Sequence, residues 1–406
     1  MNAAQVRSLE QRYLMNTYKR PPVVFTHGKG CRLYDHRGRS YLDFLSGIAV
    51  NALGYAHPRL VRVMRQQARQ AVHISNLFHN PFQGPLARKL ALWSGLDRVF
   101  FTNSGTEAVE GALKLARAYA HKQVAGKNGC KTRILALTNS FHGRTFGALA
   151  VTSTQKYREP FAPLLPGVDF VACNDVADLE SKFTADVCAL ILEPIQGEGG
   201  IQAVDDAFYQ RARQLCTQFD AALIVDEIQC GLGRTGRCFA YQKFAELPDV
   251  AVVAKPLAGG LPLGAILAKE KFAAAFSPGL HGTTFGGGPL ACATALEFLN
   301  TVEEEKLLAH ILAVGAELRA GLEKLATRFD FVREVRGEGL ILGLALSVDG
   351  APFVEEALRR GLIINCTQER VLRFLPPFII TLRHVREFLD RLSIVLAKTT
   401  KQRGNQ

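Results

Sequence analysis

The residues AALIVDEIQ at positions 221–229 decide the fold class, because five apolar residues follow one another without alternation and end in acidic and polar side chains. Such a run is typical of a strand that is buried on both faces of a sheet. Similar runs lie at Val99–Thr102, Ile134–Leu137, Val187–Leu192 and Val250–Ala254, and stretches of helical character separate most of them. Strands of this kind joined by helices predict a mainly parallel sheet covered by helices, and hence an α/β domain.

The segments on either side of this region predict a second, smaller unit. Residues 1–50 read as a helix followed by short strands. After residue 296, apolar residues spaced by three and four predict an amphipathic helix, and short strands and a closing helix follow. We therefore predict an N-terminal segment (1–55) that packs with a small C-terminal α+β domain (296–406), and a large α/β domain (56–295) between them.

The composition argues against several classes of protein. The chain has 406 residues, and 49 Lys and Arg against 37 Asp and Glu give a net charge of +12. These basic residues are scattered, so we expect no nucleic-acid partner. No apolar run reaches the ~20 residues of a membrane span, so we expect no membrane partner either. The 9 cysteines contain no CxxC pair, which predicts reduced thiols, no metal site and a cytoplasmic location.

Polar residues follow several of the predicted strands, at the sheet edge where ligands bind in such folds. The turn Asn103-Ser104-Gly105-Thr106 leads into a helix whose free backbone N–H groups suit a phosphate, although the same turn could be a simple helix cap. The loop 139–145 offers Phe141 and Arg144, which could stack on a ring and hold a carboxylate. Asp226 ends a buried strand, where a carboxylate is costly unless it meets a cation or a metal.

Two other enzyme classes share part of this pattern. The stretch GLGRTG at 231–236 matches a dinucleotide-binding motif, but four residues separate it from the strand end and the residues after it form a poor helix. Lys255 lies about 20 residues beyond these glycines, close to the spacing in protein kinases. No His-Arg-Asp or Asp-Phe-Gly follows, so the sequence supports neither class.

Lys255 is the residue on which the predicted chemistry depends. It follows an apolar strand, and a lysine that is partly desolvated at a strand end has the lowered pKa that a nucleophilic amine requires. The groups that pyridoxal 5′-phosphate needs are then present: an amine, a counter-charge for the ring nitrogen, a phosphate site and an aromatic cover. They are Lys255, Asp226, Gly105 with Thr106, and Phe141.

With these features the sequence resembles the class III, ornithine-type, pyridoxal-phosphate-dependent aminotransferases, and most of all their acetylornithine branch. The similarity covers nearly the whole chain. It implies fold type I, with a large domain built on a mainly parallel sheet and a smaller α+β domain. The segments that carry it are GIAVNALGYAHP (47–58), FFTNSGTEAVEGALKLAR (100–117), NSFHGRT (139–145), LEPIQGEGG (192–200), LIVDEIQCGLGRTG (223–236), AKPLAGGLPLGA (254–265), HGTTFGGGPLAC (281–292) and LRFLPP (372–377).

The resemblance also implies a role for each site residue. Lys255 would be the catalytic residue and would bind the cofactor covalently. The other cofactor-binding residues would be Gly105, Thr106, Phe141, Asp226, Gln229 and, across a homodimer interface, Thr284 of the partner subunit. The substrate-binding residues would be Arg144 and Thr283 for the α-carboxylate of acetylornithine, Arg373 for that of glutamate, and Glu198 as the switchable partner of Arg373.

The implied reaction is a ping-pong transfer of the δ-amino group of N-acetylornithine to 2-oxoglutarate, a step of arginine biosynthesis. Succinylornithine, succinyldiaminopimelate, an acylated lysine or free ornithine remain alternative donors, and a cofactor-binding protein without turnover remains another class. The chain departs from the family pattern at Pro256 and Gly288. Free-ornithine enzymes carry a tyrosine just before the Ala-Val-Asn segment, and its absence from Ser46-Gly47-Ile48 leaves space for an acylated donor.

Overall fold

The computed structural model describes residues 2–124 and 131–403, which contain the following strands and helices. The strands are β1 Phe25–Lys29, β2 Arg32–Asp35, β3 Ser40–Asp43, β4 Arg98–Thr102, β5 Arg133–Leu137, β6 Val168–Val171, β7 Val187–Leu192, β8 Ile195–Gln196, β9 Gln202–Ala203, β10 Ala222–Asp226, β11 Val250–Val253, β12 Gly264–Ala268, β13 Val332–Glu338, β14 Ile341–Leu346, β15 Leu362–Ile363, β16 Asn365–Thr367 and β17 Val371–Phe374. The helices are α1 Ala3–Tyr13, α2 Ser46–Ala49, α3 Pro58–Ala68, α4 Gln83–Ser94, α5 Gly105–Val124, α6 Phe146–Ala150, α7 Gln155–Arg158, α8 Val176–Lys182, α9 Asp206–Gln218, α10 Glu270–Ala273, α11 Pro289–Glu304, α12 Leu307–Arg328, α13 Ala351–Arg359 and α14 Leu382–Arg403.

A seven-stranded sheet with the order β4-β12-β11-β10-β7-β5-β6 forms the centre of the described chain. β12 pairs antiparallel with both of its neighbours, and the other neighbouring pairs are parallel. Every residue of β7, β10 and β11 is buried, as their continuous apolar runs predict. Helices α5 and α9 pack against this sheet. The predicted α/β architecture is therefore confirmed.

The structure differs from the sequence prediction in two strands of this sheet. β6 lies at the sheet edge, where its partly exposed residues show no continuous apolar run. β12 follows the glycine-rich stretch 258–264, which the sequence presents as a flexible loop. Helix α5 begins at Gly105, so the last two residues of the predicted phosphate turn, Gly105 and Thr106, belong to the first turn of the helix itself.

The N-terminal segment joins the C-terminal part of the chain through backbone pairing. β15 pairs in parallel with β3 and extends the β1-β2-β3 sheet, while β13, β14, β17 and β16 form a separate antiparallel sheet. The Ser46 hydroxyl also donates to the backbone oxygen of Leu375 over 2.6 Å. The predicted division into an N-terminal segment (1–55), a large domain (56–295) and a small C-terminal domain (296–406) remains a prediction.

None of the helices in the described residues combines the length and apolar character needed to cross a membrane. The cysteines of the described residues all carry free thiols. Cys130, which belongs to the cysteine pattern of the sequence, lies outside the described residues.

Candidate active site

A cavity of about 440 Å³ opens at the carboxyl ends of the central strands. The loops after β4, β5, β10 and β11 form it, because parallel strands end at the same edge of a sheet. We call it the central cavity. Among the residues that line it are seven that the sequence predicted for the site: Gly105, Thr106, Phe141, Arg144, Asp226, Gln229 and Lys255.

Lys255 lies two residues beyond the end of β11 and has a backbone φ of +38°, a region that non-glycine residues rarely occupy. Strain of this kind costs about 1–3 kcal/mol and tends to mark functional positions. Desolvation by burial lowers the pKa of the Lys255 amine, although the nearby carboxylates of Glu198 and Asp226 oppose that shift. No hydrogen bond or ion pair with another described residue engages the ε-amine, which leaves it available to react.

Asp226 ends β10 and is 3% exposed. Its Oδ2 lies 2.7 Å from Nδ1 of His142, and its Oδ1 accepts a hydrogen bond from the backbone N–H of Ile228 over 3.0 Å. The Nε2 atom of His142 is buried and has no hydrogen-bond partner among the residues that the structure describes, so the ring is held by its Nδ1–H donation to Asp226. Sequence reasoning did not identify this pairing, because the two residues are 84 positions apart.

The first turn of α5 lies in the cavity wall, and the leading N–H groups of a helix have no acceptor within the helix. The hydroxyl oxygen of Thr106 lies 2.9 Å from that of Thr145 and accepts from the backbone N–H groups of Arg144 and Thr145 over 3.3 Å. A Cβ added at Gly105 would lie 2.7 Å from Cδ1 of Ile228. Glycine therefore lets the backbone of the turn come close to the segment that contains Ile228. The free N–H groups of the turn can receive an anion.

Two buried glutamates position the loops around the cavity, and sequence reasoning missed both. Glu193 accepts hydrogen bonds from the backbone N–H groups of Phe141 and Gly197 over 2.9 and 3.0 Å, so it links two loops. Glu227 accepts in the same way from Ala240 and Tyr241. Burial raises the pKa of each of these carboxyl groups to about 7. A glutamate beside a strand end carries no sequence signal for such backbone contacts.

Arg373, on β17, is fully buried behind the cavity wall. Its Nη1 donates to Glu198 over 2.6 Å and to Gln229 over 2.8 Å. Although burial alone would raise the pKa of Glu198, the Arg373 guanidinium holds that pKa below its usual range. Gln229 therefore connects the Arg373–Glu198 pair to the cavity that it lines.

Arg144 lies at the exposed side of the cavity, between two aromatic rings. Its guanidinium carbon is 3.7 Å from the ring centroid of Tyr157 and 5.3 Å from that of Phe141. The two rings meet at an interplanar angle of 86°. Tyr157 was not among the predicted site residues, because its sequence context is a short polar helix with no motif of its own.

Thr283 and Thr284 lie outside the central cavity of their own chain. They line a second cavity of about 750 Å³ together with the segment 75–77. The Thr283 hydroxyl accepts from Nδ2 of Asn103 and from the backbone N–H of Gly286, both over 3.2 Å. The fold thus does not bring Thr283 next to Arg144 within one chain, and Thr284 is exposed.

Comparison with known proteins gives consistent matches. The family model described as aminotransferase class-III matches residues 13–396. An acetylornithine aminotransferase from Methanocaldococcus jannaschii is 44% identical over 393 residues, which cover 97% of this chain and 98% of that protein.

Two solved structures extend this similarity to the fold. The ornithine aminotransferase from Toxoplasma gondii superposes with a TM-score of 0.94 at 33% identity, covering 99% of this chain and 96% of that one. The N-acetylornithine aminotransferase from Stenotrophomonas maltophilia has a TM-score of 0.83 at 36% identity, covering 97% and 99%.

Proposed function

The chain belongs to the class III aminotransferase family, and on that basis we propose that it is a pyridoxal-phosphate-dependent acetylornithine aminotransferase. It moves the δ-amino group of N-acetylornithine to 2-oxoglutarate, giving N-acetylglutamate semialdehyde and glutamate, as in arginine biosynthesis. The observation that carries the proposal is the amine of Lys255, which pairs with no described residue and lies in one cavity with Asp226 and the first turn of α5. The names of the M. jannaschii and S. maltophilia proteins support the acylated donor.

The residues around the cavity fit pyridoxal phosphate. The turn at Gly105 and Thr106 suits its phosphate, Phe141 its ring face and Gln229 its ring hydroxyl. The Asp226 carboxylate, held by His142, suits a protonated pyridine nitrogen because a buried carboxylate is stabilised by an opposite charge. When bound, this cofactor supplies an aldehyde that accepts amino groups and a ring that withdraws electrons.

In this function Lys255 has two tasks. Its ε-nitrogen would hold the cofactor covalently, and as a free amine it would move a proton at Nζ. The lowered pKa suits both tasks, because an amine must lose its proton before it can attack a carbon or accept a proton.

The two arginines divide the work of recognising substrates. Arg144, at the exposed side of the cavity, binds the α-carboxylate of acetylornithine. Arg373 binds the α-carboxylate of glutamate or 2-oxoglutarate. The Arg373–Glu198 pair neutralises the buried cation while the acylated donor is bound, and Glu198 moves aside for glutamate.

The choice of an acylated donor is supported by the segment Ser46–Ala49. All its residues have positive φ, and Val50 follows in the cavity wall. No tyrosine stands in this segment, so no phenol from it competes for the space of an acyl group. Succinylornithine, succinyldiaminopimelate, an acylated lysine and free ornithine are the alternative donors.

We also propose that the enzyme acts as a cytoplasmic homodimer without a nucleic-acid partner. Thr284 is exposed in the single chain, and the second cavity beside it includes Leu77, which is 88% exposed. Phe78 and Phe285, near these residues in sequence, are 70% and 65% exposed. A second copy covering this surface would bury the apolar side chains and bring Thr283 and Thr284 of the partner subunit to the cofactor phosphate and the Arg144 side of the site.

A panel of amino donors tests the proposed function. Purified protein loaded with pyridoxal phosphate is assayed with N-acetylornithine, succinylornithine, free ornithine and 4-aminobutyrate, each with 2-oxoglutarate. We expect N-acetylornithine to give the highest kcat/KM. A much higher kcat/KM for free ornithine or 4-aminobutyrate would overturn the assignment.

A further inference from the structure

We propose that Tyr157 sets the affinity of the site for the remote carboxylate of the amino donor, by fixing the guanidinium of Arg144 through ring stacking. This inference rests on the proposed function, in which Arg144 binds that carboxylate. Tyr157 comes from α7, whereas Arg144 lies in the loop after β5, so two separate elements meet at this contact.

The contact places the cation directly against an aromatic face. The guanidinium carbon of Arg144 is 3.7 Å from the ring centroid of Tyr157, which is van der Waals contact. Phe141 stands nearly perpendicular to Tyr157, and its centroid is 5.3 Å from the same carbon. The guanidinium is therefore held in the corner between two rings.

Stacking holds the arginine without using its hydrogen-bond donors. The Arg144 side chain makes no ion pair or hydrogen bond with any described residue; only its backbone N–H is engaged, by Thr106. A guanidinium donates hydrogen bonds in its own plane. A ring against its face therefore leaves its N–H groups free to bind a carboxylate. A salt bridge would fix the side chain equally well but would neutralise the charge that the substrate needs, as Glu198 does for Arg373.

The contact with Arg144 uses the π-face of the Tyr157 ring and not its hydroxyl group. No hydrogen bond between described residues uses the Tyr157 hydroxyl. An exposed, long arginine side chain loses rotamer freedom when a ligand binds, and prior stacking removes part of that cost. Tyr157 is accordingly a positioning residue for the amino-donor carboxylate.

The test compares Tyr157→Leu and Tyr157→Phe in the half-reaction with N-acetylornithine, measured as a single turnover of the loaded enzyme. We expect Tyr157→Leu to weaken the apparent Kd for N-acetylornithine about fivefold, within the range of a cation–π contact, and to leave the limiting rate nearly unchanged. Tyr157→Phe keeps the ring and should behave as the unmodified protein.

A double-mutant cycle with Arg144→Ala separates positioning from a general structural role. If Tyr157 acts through Arg144, adding Tyr157→Leu to Arg144→Ala should change the apparent Kd for N-acetylornithine little, because the stacked cation is already gone. Equal effects in both backgrounds or an unchanged Kd in Tyr157→Leu would each overturn the inference. An unmodified protein that does not react with N-acetylornithine would overturn the proposed function as well, so the two failures are distinguishable.

Discussion

At the scale of single residues, the buried charges around the cavity are held by partners, and Lys255 differs from them. Asp226 has His142, and Arg373 has Glu198. Burying a charge without a partner is costly, so these pairs stabilise the wall of the site. The Lys255 amine lacks such a partner among the described residues. Burial removes water from this amine and thereby lowers its pKa. We therefore propose it as the reactive group.

Replacing Glu198 by Gln tests the switchable pair. Arg373 then keeps an unneutralised charge, which favours a substrate carboxylate beside it and disfavours the acylated donor. We expect the ratio of kcat/KM for N-acetylornithine to that for glutamate to fall about tenfold, measured in separate half-reactions. The matched control is Glu334→Gln, which removes a glutamate paired with Arg336 on the exposed side of β13 and should leave the ratio unchanged. Equal changes in the two half-reactions of Glu198→Gln would contradict the proposed division of labour.

At the scale of elements, the sequence predicts best where one element carries its own signal. The apolar run 221–225 marks β10, and with it the position of Asp226. The stretch 231–236 forms turns and no α-helix stands between it and β11, which agrees with the poor helix expected after it. Contacts between distant elements leave no such signal: His142 meets Asp226, Glu193 links two loops, and Tyr157 meets Arg144 only in the folded chain. β12 was missed because the glycines before it suggest a loop.

Gly105→Ala tests the role of the first turn of α5. The new methyl group would lie 2.7 Å from Cδ1 of Ile228, so the turn or that side chain must shift. We expect the Kd for pyridoxal phosphate to rise about tenfold or more, because a phosphate needs several backbone N–H groups in fixed positions. The control is Gly84→Ala in α4, where an added Cβ meets no atom within 4 Å. Titration of the apoprotein with cofactor, followed by absorbance, gives both constants, and an unchanged Kd for Gly105→Ala would contradict a phosphate site at this turn.

At the scale of the whole molecule, a single chain leaves part of the predicted site incomplete. Thr283 and Thr284 line a cavity separate from the one that contains Lys255. The pattern of a single sequence cannot show whether a loop contributes to the active site of its own chain or to that of the partner subunit, since this depends on the geometry of an interface. The expectation that Thr284 acts across a homodimer came from the family resemblance, and the separate cavities are compatible with it.

Mixed dimers test this arrangement. Chains carrying Lys255→Ala and chains carrying Thr284→Asp are each expected to be nearly inactive, the second because a carboxylate repels the cofactor phosphate. If Thr284 acts across the interface, unfolding and refolding an equal mixture should restore about a quarter of the unmodified activity, since half of the dimers are mixed and each contains one intact site. Refolded single variants serve as controls. No recovery in a mixture that contains mixed dimers would show that Thr284 does not act across the interface.

The most direct measurement is the identification of the lysine that carries the cofactor. The protein is incubated with pyridoxal phosphate, reduced with borohydride and digested, and the modified peptide is sequenced by mass spectrometry, with Lys255→Ala as the control. A stoichiometric adduct on Lys255 that is absent from the control is the predicted result. An adduct on a different lysine, or none at all, would contradict the account of this site.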